Sequence, residues 1–137
     1  DDVDLMLQIG RALFREGYVE ASLPYFERAI QQAEDSAEAV ACIGYAQHRL
    51  GNDVEAMIAL RRALTIDPSF AEARVYLANL LYDGGDLDGA LVEFEATTPA
   101  DHWDELGIWR VMELKKSIYK LAENDGELKP WEARLVE

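Results

Sequence analysis

The sequence holds few of the residues that build cross-links and reactive sites. Among its 137 residues there is one cysteine, Cys42, and there are two histidines, His48 and His102. A lone cysteine cannot form an internal disulfide, which is typical of a reducing compartment, so we expect a cytoplasmic protein. The chain starts at Asp1 rather than at a methionine, without a signal-peptide pattern. A preceding segment is therefore left open.

Long apolar runs and basic residues are also scarce. No run approaches the roughly 18 apolar residues of a membrane-spanning helix. Lysine and arginine together number 13 against 27 acidic residues, and the formal net charge is −14. Binding to nucleic acid or to an anionic membrane needs a basic surface. The composition therefore predicts neither of these partners and favours a solvated acidic surface.

The few candidates for catalysis do not form a recognisable set. Cys42 and His48 lie six residues apart on a predicted helix, which at about 100° per residue points them to different sides. His102 stands alone before Trp103. The segment 83–88 lacks the glutamate that ends a calcium loop, and neither a phosphate loop nor a catalytic triad pattern is present. We therefore predict that the protein is not an enzyme and has no metal or cofactor.

What the sequence does contain is a period of 34 residues. Ala37-Glu38-Ala39 returns as Ala71-Glu72-Ala73, and Gly17 returns as Gly51 and Gly85. A fixed period of roughly 20 to 50 residues is typical of stacked supersecondary units. The sequence therefore predicts three repeats, over residues 3–36, 37–70 and 71–98.

Each repeat has the pattern of two amphipathic helices joined by a tight turn at its glycine. The second repeat, for example, is predicted to be helical over 37–50 and 54–66, and Asp67-Pro68 ends it. No strand pattern competes. Gly10 and Gly44 are expected to face small positions such as Ala21 and Ala56, because helices approach closely only where side chains are short.

The second repeat carries a family resemblance. Its small and large positions are Ile43-Gly44, Ala46, Gly51, Ala56, Leu60, Ala63 and Asp67-Pro68. In spacing and residue type this pattern resembles the tetratricopeptide repeat, and the resemblance covers residues 3 to about 98. It implies an all-α fold, a right-handed α-α superhelix (solenoid) of stacked antiparallel helix pairs. The family's frequent leading tryptophan is replaced by Met6, Val40 and Arg74.

Residues 101–137 are interpreted as a degenerate fourth repeat that caps the stack, so that residues 1–137 form a single domain. Asp101 is the expected N-cap, and one helix is predicted over 108–122, ended by Asn124-Asp125-Gly126, followed by another over 130–136. Trp103, Trp109 and Trp131 are expected in the core of this cap. Trp103, Leu106, Met112 and Ile118 are expected to be partly buried against Leu91 and Phe94. The alternative is that the tryptophans are exposed anchors for a partner.

A candidate binding surface follows from helical spacing on the first helix of each repeat. If the resemblance holds, this face lines the concave groove in which such repeats commonly bind peptides. Arginine and aromatic residues, which are enriched at binding hot spots, are concentrated there. The candidate groove residues are Arg11, Phe14, Arg15, Tyr45, His48, Arg49, Tyr76, Asn79 and Tyr82.

Two functions are left open by the sequence. The first is a non-enzymatic interaction module or scaffold that binds a protein or peptide with acidic and apolar side chains in the groove. The alternative is an architectural or self-assembling domain of a larger protein without a groove ligand. Some family members clamp the terminal carboxylate of heat-shock chaperones, but the matching positions here are Leu7, Arg11, Cys42, Glu72 and Tyr76, of which only Arg11 could serve. The oligomeric state is not predicted.

Overall fold

Residues 2–135 are described by a computed structural model, and all regular secondary structure in this range is helical. The all-α expectation is confirmed. The α-helices of this range are α1 (Asp2–Arg15), α2 (Val19–Gln32), α3 (Ala37–Arg49), α4 (Asp53–Ile66), α5 (Ala71–Asp83), α6 (Leu87–Glu95), α7 (Glu105–Ile118) and α8 (Lys129–Leu135). Short 3₁₀ turns cover Pro99–Asp101 and Gly126–Leu128. None of the helices in this range is both long and apolar enough to cross a membrane.

The repeated glycines end the first helix of each pair. Gly17, Gly51 and Gly85 have φ angles of 91°, 85° and 88°, a conformation that is costly for residues with a Cβ atom. Side-chain caps mark the start of two helices, α3 and α6. Ser36 accepts a hydrogen bond from the Ala39 amide before α3, and Asp86 accepts one from the Gly89 amide before α6. Turn and cap together fix the helix boundaries that the repeat predicts.

The chain forms two compact units, one up to Ala73 and one from Arg74. They are called here the N-terminal unit and the C-terminal unit. The single domain over residues 1–137 stays a prediction.

In the N-terminal unit, α1 pairs with α2 and α3 pairs with α4. Phe26, Leu60 and Ala63 are almost completely buried. A Cβ atom on Gly10 would lie 2.5 Å from the Phe26 ring, and one on Gly44 would lie 3.0 Å from Leu60 Cγ. The expectation that Gly10 faces the small Ala21 is therefore wrong, since Ala21 is exposed. The expectation that Gly44 faces Ala56 is confirmed, since the same added Cβ atom would lie 3.2 Å from the Ala56 carbonyl oxygen. Both glycines also make room for a large side chain of the partner helix.

In the C-terminal unit, α7 packs against α6 and α8. The core of this unit contains Phe94, Ile108, Val111, Leu114 and Leu128. Trp131 is 6 % exposed and Met112 is 5 % exposed, so their predicted burial is confirmed.

Two other tryptophans are on the surface, which makes the prediction for them wrong. Trp103 is 53 % exposed, Leu106 53 % and Trp109 55 %. The reason lies one residue earlier in the chain. The His102 ring is 3 % exposed and stacks on Phe94 with 5.9 Å between ring centroids, so His102 occupies the place that was expected for Trp103. Ile118 is half-buried, as predicted.

The ends of α7 also differ from the prediction. Its N-cap is Asp104, whose side chain accepts from the Leu106 and Gly107 amides. Asp101 instead caps the preceding 3₁₀ turn reciprocally with Thr98. The helix ends at Ile118 and not at Ala122, because Lys120 has a φ angle of 57°, outside the helical region. The last helix begins at Lys129, and the predicted end at Val136 lies outside the described residues.

Candidate functional site

Four of the predicted groove residues line one pocket of the N-terminal unit. Arg11, Phe14 and Arg15 come from α1, where their spacings of three and four residues place them on one helix face. Tyr45 comes from α3. Phe26, Cys42 and Glu72 complete the wall, and the cavity has a volume of about 160 Å³. We call this surface, together with Arg49, the peptide face.

The three arginines of the peptide face have different environments. Arg11 is half-buried, and its Nη2 lies 2.9 Å from Glu38 Oε1. Arg15 and Arg49 are exposed. The Arg49 guanidinium carbon lies 5.0 Å from the centre of the Phe14 ring, within the range of a cation–π contact. Arg11 is therefore largely neutralised, whereas Arg15 and Arg49 present positive charge at the surface.

Two titratable groups on the pocket wall, Cys42 and Tyr45, are uncharged. Burial raises the pKa of the Cys42 thiol to about 12. The positive charge of the nearby Arg11 lowers this pKa, but by less than burial raises it. Burial also raises the pKa of Tyr45, and the negative charge of the nearby Glu72 carboxylate raises it further. Both groups keep their protons at neutral pH. Cys42 is thus not an activated nucleophile, since the thiolate is the reactive form.

His48 is not part of this pocket. Its Nδ1 lies 2.9 Å from Asp53 Oδ1, at the first residue of α4. Cys42 lines the pocket and His48 faces the turn, so the structure does not bring the two together.

The remaining groove residues lie in the C-terminal unit. Arg110 of α7 donates to Asn79 Oδ1 and to Asp83 Oδ1, each at 2.8 Å, and its guanidinium carbon lies 4.3 Å from the centre of the Tyr82 ring. The Tyr82 hydroxyl donates to Glu113 at 3.0 Å, and this hydrogen bond raises the pKa of Tyr82. Asn79 and Tyr82 are therefore held by α7, and Tyr76 is half-buried.

Sequence reasoning missed Arg110, although a signal for it exists. Continuing the 34-residue period past Pro99 without a shift maps Tyr76 onto Arg110 and Asn79 onto Glu113. The period is hard to see here, because Tyr119 stands where the turn glycine would be expected 34 residues after Gly85.

No group of three or more His, Cys, Asp or Glu side chains within residues 2–135 could hold a metal ion. His102 is buried, and its Nε2 lies 3.0 Å from Thr97 Oγ1.

The comparisons with known proteins concern the family and the fold of the chain. Two sequence models described as tetratricopeptide repeat match the chain, one over residues 7–69 and one over residues 51–106. The chain belongs to the tetratricopeptide repeat family. A search of curated protein sequences gives no match.

Several solved structures share the fold. MamA (41-end) from Desulfovibrio magneticus RS-1 has a TM-score of 0.74 at 19% identity, covering 99% of this chain and 73% of that one. The Sgt2 TPR domain from Aspergillus fumigatus has a TM-score of 0.74 at 15% identity, covering 94% of each chain. The second TPR domain of human RPAP3, in complex with an HSP70 peptide, has a TM-score of 0.70 at 20% identity, covering 84% of this chain and 96% of that one.

The tetratricopeptide repeat fold is that of a protein–protein interaction scaffold. Domains of this family are generally non-catalytic interaction modules.

Proposed function

We propose that the protein is a non-enzymatic interaction module whose peptide face binds a partner segment with one bulky apolar side chain beside acidic side chains. The observation that carries the proposal is the pocket between Phe14 and Tyr45, with Arg15 on its wall and Arg49 stacked on Phe14. The proposal involves no nucleic acid, membrane or cofactor, and a cytoplasmic location stays a prediction.

The size of the pocket supports a single side chain as its occupant. Its volume is about 160 Å³, and an apolar cavity of roughly 150 Å³ is large enough for benzene. Phe14, Phe26 and Tyr45 supply apolar wall, and the neutral Cys42 thiol adds to it. A phenylalanine or leucine side chain of a partner therefore matches this space.

The charges beside the pocket support acidic neighbours for that side chain. Arg15 and Arg49 are exposed, and a guanidinium can hold a carboxylate through two parallel hydrogen bonds. Arg11 is occupied by Glu38 at 2.9 Å, so it contributes less to ligand binding than the sequence suggests. Glu72 on the pocket wall disfavours a carboxylate inside the cavity itself.

The relatives support a peptide as the type of ligand. The second TPR domain of human RPAP3 was solved with the HSP70 peptide SGPTIEEVD, so this fold can hold an acidic peptide. In the present chain the one clamp position that could serve, Arg11, is already paired with Glu38. We therefore infer recognition of an internal segment rather than of a terminal carboxylate.

The test uses a fluorescein-labelled decapeptide with both ends blocked, carrying one phenylalanine among glutamates. Fluorescence anisotropy measures its binding to the full chain and to the double variant Arg15→Glu/Arg49→Glu. The matched control is Arg61→Glu/Arg62→Glu, which changes the net charge equally at exposed positions of α4.

We expect the Arg15/Arg49 variant to bind at least tenfold more weakly and the control to bind within twofold of the wild type. Replacing the peptide's phenylalanine by alanine should weaken binding similarly, because the pocket then stays empty. Equal binding by both double variants would overturn the proposal.

A further inference from the structure

The C-terminal unit carries a second surface that the peptide face does not explain. Trp103, Leu106 and Trp109 are each more than half exposed, although they belong to the segment that was expected to close the core. Tryptophan is the residue most enriched at binding hot spots, and a contiguous exposed apolar patch marks an interaction site more often than a random surface does.

The charges on the same side of α7 are acidic. Glu105, Trp109 and Glu113 follow each other at intervals of four residues and so form one row along the helix. All three are exposed. Leu106 lies three residues before Trp109 on the same side, and Trp103 directly precedes the Asp104 cap. We call the set Trp103, Glu105, Leu106, Trp109 and Glu113 the α7 surface.

An open hollow of about 580 Å³ continues this surface. Trp109, Met112 and Glu113 border it on one side, and Leu121 and Glu123 of the irregular segment after α7 border it on the other. The only cation on its wall, among the described residues, is Lys116, which bonds to Glu123 at 3.1 Å. The wall of the hollow therefore combines apolar side chains with the carboxylates of Glu113 and Glu123.

We propose that the α7 surface binds an amphipathic helix of a partner protein that carries leucine-like and lysine or arginine side chains. Apolar side chains of such a helix would cover Leu106 and the hollow. A lysine or arginine over the Trp109 ring would lie between the Glu105 and Glu113 carboxylates, so a cation–π contact would be combined with attraction to the negative charges on either side.

Charge complementarity selects this occupant over a second copy of the same chain. In a two-fold symmetric dimer the same patch faces itself, so Glu105 and Glu113 would meet equivalent carboxylates. The net charge of −14 adds a repulsion between whole molecules. A basic helix avoids both repulsions. Its positive charge is also opposite to the negative charge of the segment proposed for the peptide face.

The test compares two synthetic 18-residue amphipathic helices with the same leucine pattern, one with lysine and one with glutamate at the polar positions. Isothermal titration calorimetry measures their binding to the full chain and to Trp109→Ala. Ile58→Ala is the matched control, because Ile58 is a large apolar residue of α4 that is exposed to 65 %, against 55 % for Trp109. Circular dichroism checks that each variant is folded.

We expect the lysine helix to bind the wild type and the Ile58 variant within twofold of each other, and Trp109→Ala to bind it at least tenfold more weakly. Glu105→Gln/Glu113→Gln should also weaken it. Binding that is unchanged in Trp109→Ala would overturn the proposal, because it would show attraction by net charge alone. Light scattering that shows a dimer abolished by Trp109→Ala would overturn it too, in favour of a second copy.

Discussion

Thr97 Oγ1 lies 3.0 Å from His102 Nε2 and donates its own hydrogen to the Phe94 carbonyl at 2.6 Å. A hydroxyl has one hydrogen to give, so Thr97 must accept from His102, and Nε2 carries the ring proton. Nδ1 is then the unprotonated nitrogen. It is buried, without a hydrogen-bond partner among the described residues. The pair therefore fixes the tautomer and orientation of the His102 ring, and the buried Nδ1 favours its neutral form in the core of the C-terminal unit.

The first prediction concerns pH. Burial lowers the pKa of His102 below its usual 6.5, Asp101 and Asp104 oppose this shift only partly, and Arg134 adds to it. The unfolded state then binds more protons than the folded state below about pH 6.5, so the free energy of unfolding must fall as the pH drops from there. Urea unfolding at pH 7.5 and 5.5 should show this loss.

His102→Gln is the control for the pH series. Glutamine keeps a donor for Thr97 but cannot titrate, so the variant should lose less stability between the two pH values than the wild type does. An equal loss in both proteins would assign the pH effect to the many carboxylates instead of to His102.

The second prediction concerns Gly107. A Cβ atom there would overlap with His102 Nδ1, so Gly107→Ala should displace the ring. Alanine is normally better than glycine inside a helix by about 1 kcal/mol, but overpacking of a core typically costs about 1–3 kcal/mol. We expect a net destabilisation of up to about 2 kcal/mol in chemical unfolding. Gly126→Ala, where nothing lies within 4 Å of the added atom, should be close to neutral.

The third prediction separates the tryptophans. Removing a buried tryptophan typically costs about 3–5 kcal/mol, and Trp131 is 6 % exposed against 53 % for Trp103. Trp131 also meets the His102 ring edge-on at 5.3 Å. Trp131→Ala should therefore lower the melting temperature strongly, and Trp103→Ala should leave it within a few degrees of the wild type. Similar melting temperatures for the two variants would contradict the described burial.

The repeat made most of the fold predictable. The second repeat was predicted to be helical over 37–50 and 54–66, and the structure has Ala37–Arg49 and Asp53–Ile66. Such precision is possible because Gly51 takes a positive φ and Asp67-Pro68 cannot continue a helix. Each boundary is set by a residue whose backbone preference acts locally.

The cap was less predictable, because contacts between residues distant in sequence decide which of its side chains are buried. Whether His102 or Trp103 turns inward is decided by Phe94 and Trp131, which lie 8 and 29 residues away from His102. Sequence periodicity does not report such choices, since both residues can be buried. The same applies to the unexpected end of α7 at Ile118, where Lys120 takes a positive φ.

The candidate site was predictable in its residues but not in its charge. Spacing within each helix, together with the family resemblance, predicts that Arg11, Phe14, Arg15 and Tyr45 share one surface, and the structure brings these side chains to one pocket. That Glu38 pairs with Arg11, and that His48 turns to Asp53, depends on side-chain conformations. These pairings shift the proposed ligand contacts from three arginines to Arg15 and Arg49.

The most direct test of the peptide face is to find where a bound peptide lies. The blocked glutamate-rich decapeptide is made with the photoreactive p-benzoyl-phenylalanine in place of its phenylalanine, irradiated with the full chain, and mapped by mass spectrometry. We predict cross-links to residues 11–15 of α1 and 42–49 of α3, and their loss in Arg15→Glu/Arg49→Glu. Cross-links that fall on α7, or that persist unchanged in this variant, would contradict the account.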